Sequence, residues 1–134
     1  MDAKQIVSSA KQIEPWIIAL RRQLHQHPEL MYEEFETSKL VQSTLDELGI
    51  EYQKDLAITG VLGSLGNGEG PCVALRADMD ALPIHEQADI EFKSEIDGKM
   101  HACGHDCHTA MLLGAARLLK ENEELIQGTV KLIF

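Results

Sequence analysis

Apolar residues in the first part of the chain recur at helical spacing. Ile13, Trp16, Ile17, Leu20 and Leu24 fall three or four positions apart, which predicts an amphipathic helix. Pro15 suits the first turn of that helix, where its missing N–H leaves nothing unpaired, and Pro28 ends the pattern. Some of Met1 to Ser9 reads as a separate helical turn. A second helix is expected over Glu33 to Leu48. Its apolar stripe is Val41, Leu45 and Leu48, and Gly49 is a natural stop. These apolar side chains read as core, the lone Trp16 included.

The texture then changes to short runs. Ile50 to Lys54 suits a short strand, Ile58 to Leu65 a second one, and Gly66 to Pro71 a turn. That turn has no Lys-Ser/Thr ending and opens no helix, so it is not a phosphate loop. Cys72 to Ala77 is nearly continuous in apolar residues and predicts a buried strand. Asp78 to His105 is long, polar and irregular, and long loops in compact domains are usually functional or mobile. A third helix is expected from Cys107 to Asn122, with Leu112, Ala115 and Leu119 on one face. Thr129 to Phe134 then reads as another buried strand. The order is helices, strands, helix, strand, which predicts an α/β layer fold with a strand–helix–strand crossover. Domains rarely end on a fresh, uncapped strand, so the chain is expected to be truncated.

Composition narrows the function classes. The 134 residues carry 44% hydrophobic and 25% charged side chains, an ordinary globular balance. A formal net charge of −10 argues against nucleic acid and against anionic membranes as partners. No stretch reads as membrane-spanning and the N-terminus does not read as a secretory signal, so a cytoplasmic location is expected. Cys72, Cys103 and Cys107 are odd in number and sparse, which argues against a disulfide framework.

The densest chemistry is HACGHDCH over residues 101–108. Thiolate and imidazole suit zinc and related metals, and Gly104 lets the backbone turn so that Cys103 and His105 can face one ion. Taken singly, His101, Cys107 and His108 read more simply as a helix N-terminus, with exposed His rings and Asp106 as cap. Asp78 and Asp80 follow the apolar strand, where ligands gather in open α/β sheets. They could bind a metal or orient a metal-bound His. His25 and His27, two apart near a helix end, make poor ligand geometry and read as cations at the negative end of the helix dipole.

Three segments then agree in sequence and order: RRQLHQHPEL (21–30), ALRADMDALPI (74–84) and GKMHACGHDCHTAMLLGAA (98–116). They resemble the M20 peptidase family, and within it the aminoacylase-like amidohydrolases: hippurate, N-acyl-amino-acid and auxin-conjugate hydrolases. The resemblance implies the N-terminal part of a three-layer α/β/α metallopeptidase-like catalytic domain over residues 1–134, with the lid/dimerisation domain absent. It implies a hydrolase with two divalent ions, Mn or Zn, that splits small N-acyl amino acids into a carboxylate and an amino acid. A homodimer is implied for the full-length enzyme. Carried over by position, Cys103 and His105 match metal ligands, Cys103 in the bridging place, and Asp80 matches the aspartate that orients the site. Asp78 stands where the wider family has a ligating His. This branch has Asp there, so Asp78 is counted only as secondary, with His101 and His108. Cys107 departs from the Gly or Ala usual at its position. The family's general base belongs to a Glu-Glu pair after the strand matching Thr129–Phe134. Glu121, Glu123 and Glu124 precede that strand and do not match. The isolated chain is therefore expected to be inactive. The alternatives are a non-catalytic metal-binding or interaction module, and a zinc-structured domain closed by two of His101, Cys107 and His108.

Overall fold

The computed structural model describes residues 2–134; Met1, part of the expected N-terminal turn, lies outside the described residues. Three helices and four strands follow in the order α1 (Ala3–Gln26), α2 (Phe35–Leu48), β1 (Glu51–Leu56), β2 (Gly60–Gly66), β3 (Cys72–Arg76), α3 (His105–Glu121) and β4 (Thr129–Ile133), with one 3-10 turn at Glu123–Leu125 before β4. The sheet order is β1-β2-β4-β3. β2 pairs antiparallel with both β1 and β4, and β3 pairs parallel with β4. The unit β3–α3–β4 is therefore the expected crossover.

α1 differs from its reading. It runs unbroken through residues assigned to a separate turn, and Pro15 sits in its interior. Asp2 and Gln5 form a reciprocal capping box that starts the helix at Ala3, well before the pattern that begins at Ile13, with Asp2 Oδ1 accepting from Gln5 N at 2.8 Å. Pro15 lies on the exposed side, where water can take up the carbonyl it leaves free. α2 starts at Phe35 rather than Glu33, because Glu29 caps it from outside. The Glu29 carboxylate accepts from Glu36 N at 3.0 Å and from Thr37 N at 2.7 Å. Gly49 ends α2 in the left-handed conformation, φ 67°, as expected.

One sheet face carries the core. Val61 and Leu65 of β2 and Leu132 of β4 are buried in a cluster with Leu20 and Leu24 of α1, Val41 and Leu45 of α2, and Leu113 and Ala116 of α3. All three helices therefore cover this face. Alternate strand positions point the other way. There Leu62, Ser64 and Lys131 are half-buried and Ile133 is exposed. Of the three layers expected, the described residues supply the sheet and one helical layer, and they form no second domain. α1 and α3 approach closely at Gly114, where an added Cβ would come within 2.6 Å of the Ile17 side chain. α3 buries Ala110, Leu112, Leu113 and Ala116. Its inward face is thus rotated from the expected Leu112–Ala115–Leu119 line, and Ala115 and Leu119 are half-buried. Trp16 is half-buried at the edge of the core, with the Arg117 guanidinium 5.1 Å from its ring centre.

The largest departure is β3. It was read as buried, yet all five of its residues are exposed, Val73 by 56%. It is an edge strand, hydrogen-bonded on one side only. β4 is likewise only partly covered: Leu132 is buried, but Thr129 to Lys131 are half-buried and Ile133 is exposed.

Leu45 is fully buried between α2 and the sheet, so Leu45→Ala should cost about 2–5 kcal/mol of stability. Urea unfolding followed by circular dichroism measures it. A loss below about 1 kcal/mol would mean that the core closes over the deleted side chain.

Candidate metal centre

β3 ends at Arg76, and the chain turns past its carboxyl end through Ala77, Asp78, Met79 and Asp80. Three attachments hold this turn. Ala77 N donates to Ile133 O at 2.9 Å, continuing the β3–β4 register by one residue. Thr109 Oγ, buried in α3, donates to the Asp78 carbonyl at 2.9 Å. Ala81 N donates to Glu29 O at 2.7 Å. The rest of the 77–104 loop is tied down by the Leu82–Met100 pair and by Glu95 N donating to Gln26 O at 2.8 Å.

α3 arrives from the other side. Its N-cap is Gly104 at φ 87°, so His105 is the first helical residue, two positions earlier than expected. The His105 ring faces Asp80: Nδ1 lies 2.9 Å from the Asp80 carbonyl oxygen and 2.9 Å from its carboxylate Oδ1. Both partners accept only, so Nδ1 carries a proton and Nε2 is the nitrogen left for a ligand. Nε2 lies 3.8 Å from Asp78 Oδ2. His108, one helical turn along, donates from Nδ1 to Asp78 Oδ1 at 2.8 Å, and the two rings stack at 5.5 Å between centres. Arg76 completes the surround by donating to Asp78 Oδ2 at 2.9 Å. The His108 hydrogen bond, aided by a backbone hydrogen bond and by the neighbouring His105 and Arg76, holds the Asp78 carboxyl down at about 2, against the opposing effect of burial. Ligating atoms of Asp78, His105 and His108 all lie within 4.8 Å of one another. An imidazole nitrogen with its partner nitrogen fixed by a carboxylate, beside a second, ionised carboxylate, is a donor set that fits a divalent cation.

The sequence of this site and its fold have known counterparts. The sequence pattern of Peptidase family M20/M25/M40 matches residues 74–134, which contain all of these groups. The chain is 58% identical over 133 residues to IAA-amino acid hydrolase ILR1-like 5 of Arabidopsis thaliana, covering 98% of this chain and 31% of that protein. It is 54% identical over 133 residues to thermostable carboxypeptidase 2 of Saccharolobus solfataricus, covering 98% of this chain and 34% of that one. The fold superposes on the YXEP protein of Bacillus subtilis, a dinuclear metal binding peptidase from the M20 family. The TM-score is 0.87 at 46% identity, over 92% of this chain and 35% of that one. In sequence and in structure, the chain matches the M20 peptidase family. It spans about a third of the length of the curated relatives it matches.

Within the chain the expected site residues separate into two groups. Asp78, Asp80, His105 and His108 come together. Cys103 precedes Gly104 and is exposed, outside the three-residue cluster. Cys107 is half-buried and, like Cys72 and Cys103, unpaired.

His101 and Asp106 are not the exposed ring and helix cap of the simple reading. Both are buried, because they face inward onto α1. Burial holds His101 down at about 4, partly opposed by the Asp106 charge, and neither of its ring nitrogens has a hydrogen-bond partner. Asp106 makes no cap; its Oδ2 lies 2.7 Å from His25 Nδ1.

His25 in turn is no solvated cation at a helix end. It is 2% exposed, and its Nε2 lies 3.0 Å from Glu86 Oε1. Arg21 lies against the same group, its Nε 2.8 Å from Asp106 Oδ2 in an ion pair whose N–H is not aimed along the contact. His27, by contrast, is exposed and bonds the Gln23 carbonyl at 3.0 Å.

Sequence reasoning missed His25 and Glu86, and it also missed Glu34. Glu34 is buried, accepts from Thr59 Oγ1 at 2.8 Å, and lines an open cleft of about 500 Å³ with Asp78 and Asp80. Nothing in the local spacing distinguishes Glu34 from its neighbour Glu33.

Gly104 tests the turn directly. An added Cβ would meet nothing within 4 Å, so Gly104→Ala costs only the strain of a left-handed backbone, about 1–2 kcal/mol. Equilibrium unfolding reads this. A neutral result would mean that the turn before His105 relaxes freely.

Proposed function

We propose that this chain is the N-terminal part, residues 1–134, of the catalytic domain of a metal-dependent amidohydrolase. The longer protein hydrolyses small N-acyl amino acids to a carboxylate and an amino acid. The observation that carries the reading is the His105–Asp80 contact, which commits Nδ1 to the protein and leaves Nε2 toward Asp78. Cys103 and His105 would hold a divalent ion, Mn or Zn, with Asp80 as the group that orients His105. Asp78 and His108 stand within reach as further donors, while His101 is set apart by burial. A bound ion pair of this class supplies Lewis acidity toward an amide carbonyl and a water of lowered pKa. The similarity to hydrolases of amino-acid conjugates supports the substrate class.

The chain's own residues bind and orient, and the two aspartates at the centre are already engaged. Asp78 is engaged by His108 and Arg76, and Asp80 by His105. Glu121 pairs with Arg117 at the far end of α3, about 24 Å from His105 by helix length, and Glu123, in the 3-10 turn beyond it, binds Lys120 and Gly66 N. Among the described residues, no helix is long and apolar enough to cross a membrane. Unpaired thiols, two of them exposed, suit a reducing cytoplasm. A homodimer is the assembly the resemblance favours for the longer protein.

Two measurements test this. Saturating zinc should slow thiol labelling of Cys103 about tenfold or more while leaving Cys72, which is also exposed, unchanged, as expected for a metal-bound thiolate. Equal labelling of both would remove Cys103 from the ligand set. Residues 1–134 with added Mn or Zn should show no turnover of N-acetyl amino acids by a ninhydrin assay. Measurable turnover would mean that a base lies within the chain.

A further inference from the structure

We propose that His25 is a positioning residue for the metal-binding turn: it couples Glu86 on the 77–104 loop to Asp106 in the first turn of α3 and so holds the His105 ring against Asp80. The coupling is geometric. His25 projects from the last turn of α1 and is enclosed, with Phe92 edge-on to its ring at 5.6 Å and 78°. Its Nδ1 meets Asp106 Oδ2 at 2.7 Å and its Nε2 meets Glu86 Oε1 at 3.0 Å. Glu86 Oε2 accepts from Ser94 N at 2.6 Å, so one carboxylate gathers both arms of the loop. Asp106 is the residue after His105, so a shift of Asp106 in its buried seat turns the start of α3 and swings the His105 ring.

Both carboxylates accept, so the two contacts are satisfied together only when each carries a proton between ring and oxygen. Truncating this ring leaves two buried carboxylates with one nearby cation, the partly exposed Arg21, whose ion pair is with Asp106. The loop has almost no regular structure of its own. Its route past the metal centre is therefore set by such side-chain anchors rather than by a ladder.

As far as it concerns metal, the inference rests on the function proposed above; the part concerning the His105 ring does not. The test is long-range proton–nitrogen spectroscopy of the metal-free chain with labelled histidine, comparing wild type with His25→Gln. Wild type should show His105 protonated at Nδ1 and bare at Nε2. Folded H25Q should show His105 averaging between tautomers and should bind zinc about tenfold or more weakly by calorimetry, the scale seen when outer-shell support is lost. A folded H25Q that keeps the His105 tautomer and the zinc affinity, and loses only melting temperature, overturns the proposal. If H25Q does not fold, the wild-type His25 decides. A proton protected from water in each of the two ring–carboxylate contacts supports the coupling, and rapid exchange at either ring nitrogen overturns it. If wild type binds no zinc, the metal reading falls while the tautomer comparison still judges the positioning.

Discussion

A carboxylate buried beneath the surface must find partners, and much of the site follows from how Asp106 finds them. Asp106 is 1% exposed. An isolated charge there would cost several kcal/mol, so the fold stands only if a donor reaches it. Arg21 and His25 reach it from α1, which requires the last turn of α1 to lie against the first turn of α3. The other nitrogen of His25 then draws in Glu86, and with it the loop that carries Asp78 and Asp80. Helix packing, loop path and metal centre are in this sense one solution to one electrostatic requirement.

A second attachment is independent of the first. The parallel register of β3 on β4 sets where the chain leaves the sheet, and Thr109 holds the Asp78 carbonyl at that exit. The carboxylates are thus fixed from the sheet and the imidazoles from the helix. The two halves meet across the His105–Asp80 contact. Neither half alone would give His105 a defined ring orientation, since a helix start preceded by a left-handed glycine can pivot.

What was legible in the sequence divides along the same line. Local periodicity located α2, β2, β4 and the β3–α3–β4 crossover, because each depends on residues a few positions apart. Asp78, Asp80 and His105 were legible as chemistry because ligand types cluster along the chain. Three things were not legible. Pro15 looked like a helix start because local rules cannot tell that its free carbonyl neighbour faces water. The apolar run 72–76 records what faces a strand is made to bury, and not what covers it here, so its exposure could not be read. His25 and Asp106 are 81 positions apart, and no spacing rule connects them.

The buried network also bears on why a polar solution sits where an apolar one would be cheaper. Replacing buried ionic groups by well-packed hydrophobic side chains is often neutral or stabilising, so the His25–Asp106–Glu86 group is not explained by stability. Apolar contacts are non-directional, and they would let the 77–104 loop slide over α1 with little change in energy. Hydrogen bonds to both ring nitrogens at 2.7 and 3.0 Å lose strength steeply with angle, and so fix the loop in direction as well as in depth. The unpartnered His101 and Asp106 Oδ1 in the same region are a further cost that stability alone would not select. A loop held by directional bonds at its base can keep two carboxylates aimed at one imidazole, and a loop held by apolar contact alone cannot.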